Sequence, residues 1–360
     1  MKRVGNLWNR IVSADNLILA AQRASRGKRM KSAALTFNSR LGDALITLRH
    51  ELISGRYLPG RYTTFEVCDP KTRYISAAPF RDRVVHHAVY NIIGPIFEST
   101  FIHDTYANRC GFGTHKALRR FTSFLRQSTY VLQCDISKYF PSIDHEILKQ
   151  KLRKKIKCRE TLRLIDLIIN KSNLQEPVNR YFPHDDLFSP FERRRGLPLG
   201  NLTSQFFANL FLSELDHFVK EDLRVRKYLR YVDDFALFSD DLDFLRDCAE
   251  KIKDFLELER LLLHPRKTRI VNTDGGASFV GFTIFSDRIR IRSENVRRAR
   301  QRFHRLEKKY EAGIVDEKHV RQSLMSWIGH ARHADSFRLR ESMFGQLSFS
   351  RGGTKNGHDP

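Results

Sequence analysis

The sequence predicts an α+β fold with a basic helical start, a middle that mixes strands and helices, and a helical end. Three patterns carry that expectation. Tyr130-Val-Leu-Gln-Cys-Asp135 is a short apolar run closed by an acid, as in a buried strand. Tyr228-Leu-Arg-Tyr-Val-Asp233-Asp234-Phe-Ala-Leu-Phe238 places two apolar, aromatic runs around two adjacent acids, the pattern of a hairpin with carboxylates at its tip. From Ser293 onward, Val296, Ala299, Phe303, Leu306 and Tyr310 recur every three or four residues, giving a long helix one apolar stripe.

The 360 residues suffice for two or three packed subdomains. Hydrophobic residues make up 41% and aromatics 11%, which favours folding over disorder. Lys and Arg number 64 against 41 Asp and Glu, a formal charge of +23. Such a charge points to a polyanionic partner, because each neutralised phosphate releases condensed counterions. The alternative is a merely soluble basic protein. Five cysteines lie far apart with no C-x-x-C pair, which argues against a zinc ribbon or a disulfide framework and for buried, reduced thiols. The N-terminal MKRVGNLWNRIV lacks the apolar core of a signal peptide, and no stretch approaches a membrane span, so a cytoplasmic location is expected.

Residues 1–60 read as helical and basic, with Leu17, Ala20, Ala21 and Ala24 at helical spacing. Arg23, Arg26, Lys28, Arg29 and Lys31 surround Gly27 as a solvated face or an RNA contact. Gly55, Pro59 and Gly60 punctuate the entry to a strand over Tyr62–Val67. Two helical patterns between 80 and 126 flank Cys110-Gly-Phe-Gly-Thr114, where Arg109, Lys116, Arg119 and Arg120 could hold a nucleic acid backbone. Asp144 caps a helix carrying Leu148, Leu152 and Ile156. The polar, Pro-broken segment Asn173–Arg195 reads as a long loop. Gly196, Pro198 and Gly200 make a close turn, after which Asn201 can cap a helix with Leu202, Phe206 and Leu210. Leu242–Leu256 is amphipathic, and residues 346–360 read as a disordered tail.

Two acids at a strand tip are ordinarily turn-formers. Here Val232 and Phe235 bracket them without Gly, Asn or Pro, and apolar flanks suggest carboxylates held for a cation. Nucleotidyl transfer needs such an arrangement, with two Mg²⁺ ions shared between carboxylates.

Tyr231-Val-Asp-Asp234 on a hairpin, after Asp135-x-x-x-x-Phe140, resembles the palm of reverse transcriptases. The likeness is collinear. Arg73–Arg83 resembles the fingers, Gly196–Gln205 the element between the two acidic motifs, His264-Pro-Arg-Lys267-Thr the following strand, and Phe279-Val280-Gly281-Phe282 the primer grip. The resemblance implies a right-hand polymerase: an N-terminal extension over 1–60, fingers and palm over 61–290, and a helical thumb over 291–345. It implies that Asp135 and Asp233 bind both metals, with Asp234 in support and the Ile136 carbonyl completing one shell. Phe140 matches the aromatic gate against a ribose 2′-hydroxyl, its alternative being an ordinary core aromatic. Arg73, with Lys71, is the candidate for the incoming triphosphate, Arg81 and Arg83 competing for that role. Lys267 matches the residue proposed to protonate pyrophosphate, or is an exposed surface lysine. Arg297, Arg298 and Arg305 on the basic thumb helix would contact phosphates and 2′-hydroxyls of a template–primer duplex.

Most reverse transcriptases read Q-G-x-x-x-S-P where this chain has Leu199-Gly-Asn-Leu-Thr-Ser-Gln205. That variant resembles the polymerases of diversity-generating retroelements, which copy a template RNA with errors concentrated at adenines. The resemblance places Leu199 near the incoming nucleotide and the template base, where a missing amide would loosen base discrimination; the alternative is that Leu199 only packs. It also implies a separate basic helical accessory protein, commonly a pentamer. The sequence stops soon after the expected thumb, so no long intron-splicing, Cys/His nuclease or RNase H domain is expected. The competing expectations are a faithful reverse transcriptase of a group II-like or phage-defence element, and an inactive RNA-binding scaffold. The intact acids Asp135, Asp233 and Asp234 count against the scaffold.

Overall fold

The computed structural model describes residues 3–68, 72–173 and 180–350; Lys71 and residues 351–360 of the expected tail lie outside the described residues. The chain divides into two compact units. The first holds the N-terminal part to Gly113, Gln133–Leu237 and Arg246–Arg269; the second holds Thr114–Leu132, Phe238–Leu245 and the chain from Ile270.

In the first unit the helix Ala14–Ser25 starts on Ser13, whose hydroxyl accepts from the Asn16 N–H. It packs against the helix Phe80–Glu98. Ala20, Ala21 and Ala24 of the first helix are buried. Asn16 bridges the two helices, its Nδ2 donating to the Ala88 carbonyl at 3.0 Å. Leu45, Leu48 and Leu52 of the helix Leu41–Ile53 are buried too, so the N-terminal helices contribute core to this unit. Arg26, Lys28 and Arg29 remain exposed.

Strands β1 (Thr63–Cys68) and β2 (Thr72–Ala77) pair antiparallel, with Phe65 opposite Ile75 and Val67 opposite Arg73. The helix Leu202–Phe211 packs on Phe80–Glu98, where Phe206 meets Tyr90 at 5.4 Å and Phe97 at 5.8 Å between ring centres. Asp144 caps the helix His145–Lys155 as expected, accepting from the Glu146 and Ile147 N–H groups, and Leu148, Leu152 and Ile156 are buried.

The larger sheet contains β3 (Tyr130–Asp135), β4 (Tyr228–Tyr231), β5 (Asp234–Ser239) and β6 (Arg269–Asn272), in the order β4-β5-β3-β6. That order sets β5 beside β3, so the strands carrying Asp234 and Asp135 are neighbours.

The second unit contains the helix Thr114–Leu125, the meander β7 (Ala277–Phe279), β8 (Phe282–Ile284) and β9 (Ile289–Ile291), and the helices Ser293–Glu311, Glu317–Ala331 and Phe337–Phe344. Phe121 stacks on Phe279 at 4.6 Å and meets Phe238 edge-on at 5.0 Å. Ala299, Phe303 and Leu306 bury the predicted stripe, and Phe303 packs edge-on to Trp327 at 5.6 Å.

Three expectations need correction. Asn201 precedes its helix but does not cap it with its side chain; the amide instead donates to the Ser76 carbonyl at 3.1 Å and accepts from the Ala78 N–H. The segment Asn173–Arg195 is not structureless in its described part. Ser189–Glu192 forms a helical turn, and the Arg193 side chain is buried between Asp185 and Asp144. Cys134, Cys158 and Cys248 are buried thiols, whereas Cys68 and Cys110 are exposed, one on the open β1 strand and one in the glycine turn. Among the described residues no helix is long and apolar enough to cross a membrane.

Candidate active site

β3 delivers Asp135 to the end of a buried strand, 7% exposed. The chain beyond it is tied in place: the Asp135 carbonyl accepts from the His264 N–H at 2.7 Å, and the Ser137 N–H donates to Leu262 at 2.8 Å. Ile136 lies between them, opposite Leu263. The same His264-Pro-Arg-Lys turn brings Lys267 round, and its Nζ donates to Asp135 Oδ2 at 2.6 Å.

β4 and β5 form a two-residue hairpin whose last pair is Tyr231 and Asp234, leaving Val232 and Asp233 as the turn. Val232 has φ +58°. A β-branched residue there is a genuine outlier, costing on the order of 1–3 kcal/mol, and such strain concentrates at functional sites. No glycine relieves it.

The three acids converge. Burial pushes the Asp234 carboxyl up to about 7, and the charges of Asp233 and Asp135, with a hydrogen bond to Asp135, push the same way. Asp233 is raised by burial and by Asp135, with Lys267 and Arg73 opposing. Mutual repulsion in a water-poor site is relieved by protons or by cations. The oxygen-only donor set suits a hard divalent ion. Among the described residues no group of three or more Asp, Glu, His or Cys side chains is arranged to hold a metal ion, and Lys267 holds one Asp135 oxygen.

Phe140 follows Asp135 in the short helix Tyr139–Ser142, entered through Lys138 at φ +48°. It is half-buried, and its carbonyl accepts from the Leu197 N–H at 2.9 Å. Leu199 is half-buried, and its carbonyl accepts from the Ser76 N–H at 3.0 Å, which joins the Gly196–Gln205 element to β2. Gly200 has φ +107°, and a Cβ there would stand 2.9 Å from Ile75 Cγ2. Only glycine fits that approach. Gln205 is exposed on its helix, and Arg73 is exposed on β2 with its charge felt at Asp233. Lys71 lies outside the described residues. Arg81 is taken up by an ion pair with Glu51, and Arg83 by a bond to the Ala78 carbonyl at 2.8 Å.

The second unit presents the other predicted contacts. Phe279 and Phe282 close a hairpin through Val280 and Gly281, at φ +41° and +91°. The Gly281 carbonyl accepts from Asn295 Nδ2 at 3.1 Å and from the Arg292 N–H at 3.2 Å. On the helix Ser293–Glu311, Arg297 and Arg305 are exposed, while Arg298 pairs with Glu294.

Residues 68–284, well over half the chain, match the model of one family, described as reverse transcriptase (RNA-dependent DNA polymerase). The chain belongs to that family. The enzyme class goes with it, RNA-directed DNA polymerase, as does the right-hand polymerase fold. This reverse transcriptase is 25% identical over 295 residues to Protein YkfC of Escherichia coli, covering 70% of this chain and 74% of that one. It is 27% identical over 149 residues to the group II intron-encoded protein LtrA of Lactococcus lactis, covering 41% of this chain but 23% of LtrA. Its fold also aligns with apo telomerase from Candida tropicalis at a TM-score of 0.46 and 13% identity, over 69% of this chain and 51% of that one. The assignment rests on the family match and not on that last likeness.

The sequence reading missed Arg230, Asp216 and Asn209, a buried network that reaches the Val232–Asp233 turn through Arg230. The signal was present: an arginine inside an apolar strand needs a buried partner.

Proposed function

We propose that this chain copies an RNA template into cDNA by two-metal nucleotidyl transfer, with Asp135, Asp233 and Asp234 as the metal-holding carboxylates. The convergence of the three acids at the ends of adjacent strands carries the reading. Asp135 and Asp233 would share both Mg²⁺ ions, Asp234 would support them, and the Ile136 carbonyl would complete one shell. When bound, the ions would activate the primer 3′-hydroxyl and neutralise the leaving pyrophosphate.

The chain's own residues do the rest. Arg73, with Lys71, binds the incoming triphosphate, its planar guanidinium matching phosphate oxygens. Phe140 lies under the sugar and excludes a 2′-hydroxyl. Lys267, poised on Asp135, carries a proton to the pyrophosphate. Phe279, Val280, Gly281 and Phe282 seat the primer, and Arg297, Arg298 and Arg305 hold duplex phosphates.

We further place the enzyme in the diversity-generating lineage, with errors directed to template adenines. Leu199 and Gln205 support this, because both depart from the usual Gln and Pro of the element. An accessory basic helical protein, pentameric in that lineage, belongs to the same reading. The faithful alternative is favoured by a different observation, the intron-encoded relatives. Primer extension on a defined RNA template with Mg²⁺ and four dNTPs, followed by cDNA sequencing, separates the two. Errors clustered opposite adenines support the diversifying enzyme; an even, low error rate leaves a faithful one. Absence of any extension by the folded protein would overturn both.

A further inference from the structure

Arg230 is fully buried in β4, two residues before the strained turn. Every one of its five N–H donors has an acceptor. Nε donates to Asp216 Oδ1 at 2.7 Å and Nη2 to Asp216 Oδ2 at 2.6 Å, a two-pronged ion pair. Nη2 also reaches the Asn209 carbonyl at 3.2 Å, and Nη1 reaches Asn209 Oδ1 at 3.0 Å. The remaining Nη1 donor goes to the carbonyl of Val232 at 2.9 Å.

The partners are themselves fixed. Asp216 accepts from the Tyr228 hydroxyl at 2.7 Å and the Thr105 hydroxyl at 3.1 Å. Asn209 Nδ2 donates to the Ala107 carbonyl at 3.2 Å. The Arg230 backbone is pinned as well, its N–H on Asp104 and its carbonyl on the Tyr106 N–H, both at 3.0 Å. The guanidinium therefore cannot move without breaking a network in which Arg230, Asp216, Asn209 and Tyr228 are all buried.

We propose that Arg230 is a positioning residue for the reaction: its guanidinium, anchored by Asp216 and Asn209, grips the Val232 carbonyl and fixes the strained peptide that aims the Asp233 carboxylate. The inference rests on the polymerase reading for what Asp233 does. It adds the reason a valine is tolerated at φ +58°: the peptide after that residue is held by its oxygen. A salt bridge serving only stability would have no need of the Val232 contact.

Arg230→Lys tests it. Lysine keeps the charge that compensates Asp216 but lacks a planar fork, so it cannot serve Asp216 and Val232 together. The probe is Mn²⁺, titrated against the whole protein by the electron spin resonance of the free ion, with primer extension run in parallel. Arg230→Lys should weaken Mn²⁺ binding about tenfold and lower kcat about 100-fold. Duplex affinity and KM for dNTP should stay within about twofold, since neither contacts the clamp. Tyr228→Phe removes one bond to Asp216 but keeps all five Arg230 donors, and should leave Mn²⁺ affinity unchanged. If Arg230→Lys does not fold, Asn209→Ala loosens the same guanidinium and should weaken Mn²⁺ binding about threefold. Folded Arg230→Lys with unaltered Mn²⁺ affinity and kcat, or Asn209→Ala with unaltered affinity, overturns the proposal. A wild-type protein that binds Mn²⁺ but extends no primer overturns the polymerase reading, and the Mn²⁺ titrations then still decide the clamp.

Discussion

Lys267 Nζ donates to Asp135 Oδ2 at 2.6 Å, while the lysine side chain remains about half exposed at 48%. The Lys267 ammonium thus reaches the acidic cluster from the His264–Lys267 turn and can leave without uncovering a core. Lys267→Met should lower the primer-extension rate about 10- to 100-fold, the range for losing a general acid. Its melting point should move little, because a partly exposed ion pair contributes about 0–1 kcal/mol. Steady-state extension beside a thermal melt reads both; a full-rate Lys267→Met enzyme would make this lysine a surface residue.

Asp233→Asn removes one of three mutually repelling carboxyls. Synthesis should fall at least about 100-fold, the equivalent of losing roughly 3 kcal/mol of transition-state stabilisation. Stability should hold or rise, since burial and Asp135 already disfavour the charge at Asp233. Extension assays and duplex gel shifts on the same preparation decide; retained synthesis sinks the assignment of Asp233.

Phe140→Ala should admit ribonucleotides, with the dNTP preference over rNTP dropping about 10- to 100-fold. Unchanged sugar selectivity would return Phe140 to the role of a packing aromatic.

Leu199→Gln restores an amide at the position where the element departs from its usual sequence. If that departure loosens base discrimination, misincorporation opposite template adenine should fall several-fold while errors at other bases stay put. Sequenced cDNA from both enzymes gives the comparison, and an identical error spectrum removes Leu199 from the argument.

Acid should destabilise the fold through His86. Burial, reinforced by the charges of His87 and Arg83, lowers its pKa to about 3, and among the described residues its Nδ1 has no hydrogen-bond partner. The unfolded chain takes up this proton near pH 6.5 and the folded chain does not until about pH 3. The contribution is therefore intact above pH 6.5 and lost progressively as pH falls below it, by up to about 1.4 kcal/mol per pH unit. Asp234, raised to about 7, works in the opposite direction by binding a proton first in the folded state. Urea melts at pH 7.5 and 5.0 on wild type and His86→Gln isolate the histidine; an equal slope in both would refute the assignment.

Local patterns were the readable part of this molecule. The Asp135 strand, the acid-tipped hairpin, the Asp144 cap and the stripe on Ser293–Glu311 each depend on residues a few positions apart. What escaped depends on distant partners. Asn201 sits where a cap belongs, yet its amide is spent on β2, more than a hundred residues earlier in the chain. Arg230 looks like one polar residue in an apolar run until Asp216 and Asn209 are placed beneath it. Arg193 falls in a segment read as loop because the acids that bury it, Asp144 and Asp185, lie on either side of it in space rather than in periodic register. Sequence spacing reports periodicity; it does not report which charges meet.

The junction of Leu199 and Gly200 with β2 has an evolutionary consequence. A backbone bond from Ser76 and a contact with Ile75 that admits no Cβ at residue 200 make the Gly196–Gln205 element and the strand bearing Arg73 a single mechanical part. Substitutions on its two sides cannot be selected independently. If Leu199 sets copying accuracy as proposed, a change there also shifts the arginine proposed to hold the triphosphate, so fidelity and speed should change together in laboratory lineages of this enzyme, and variants that separate them should carry compensating changes within β2 itself.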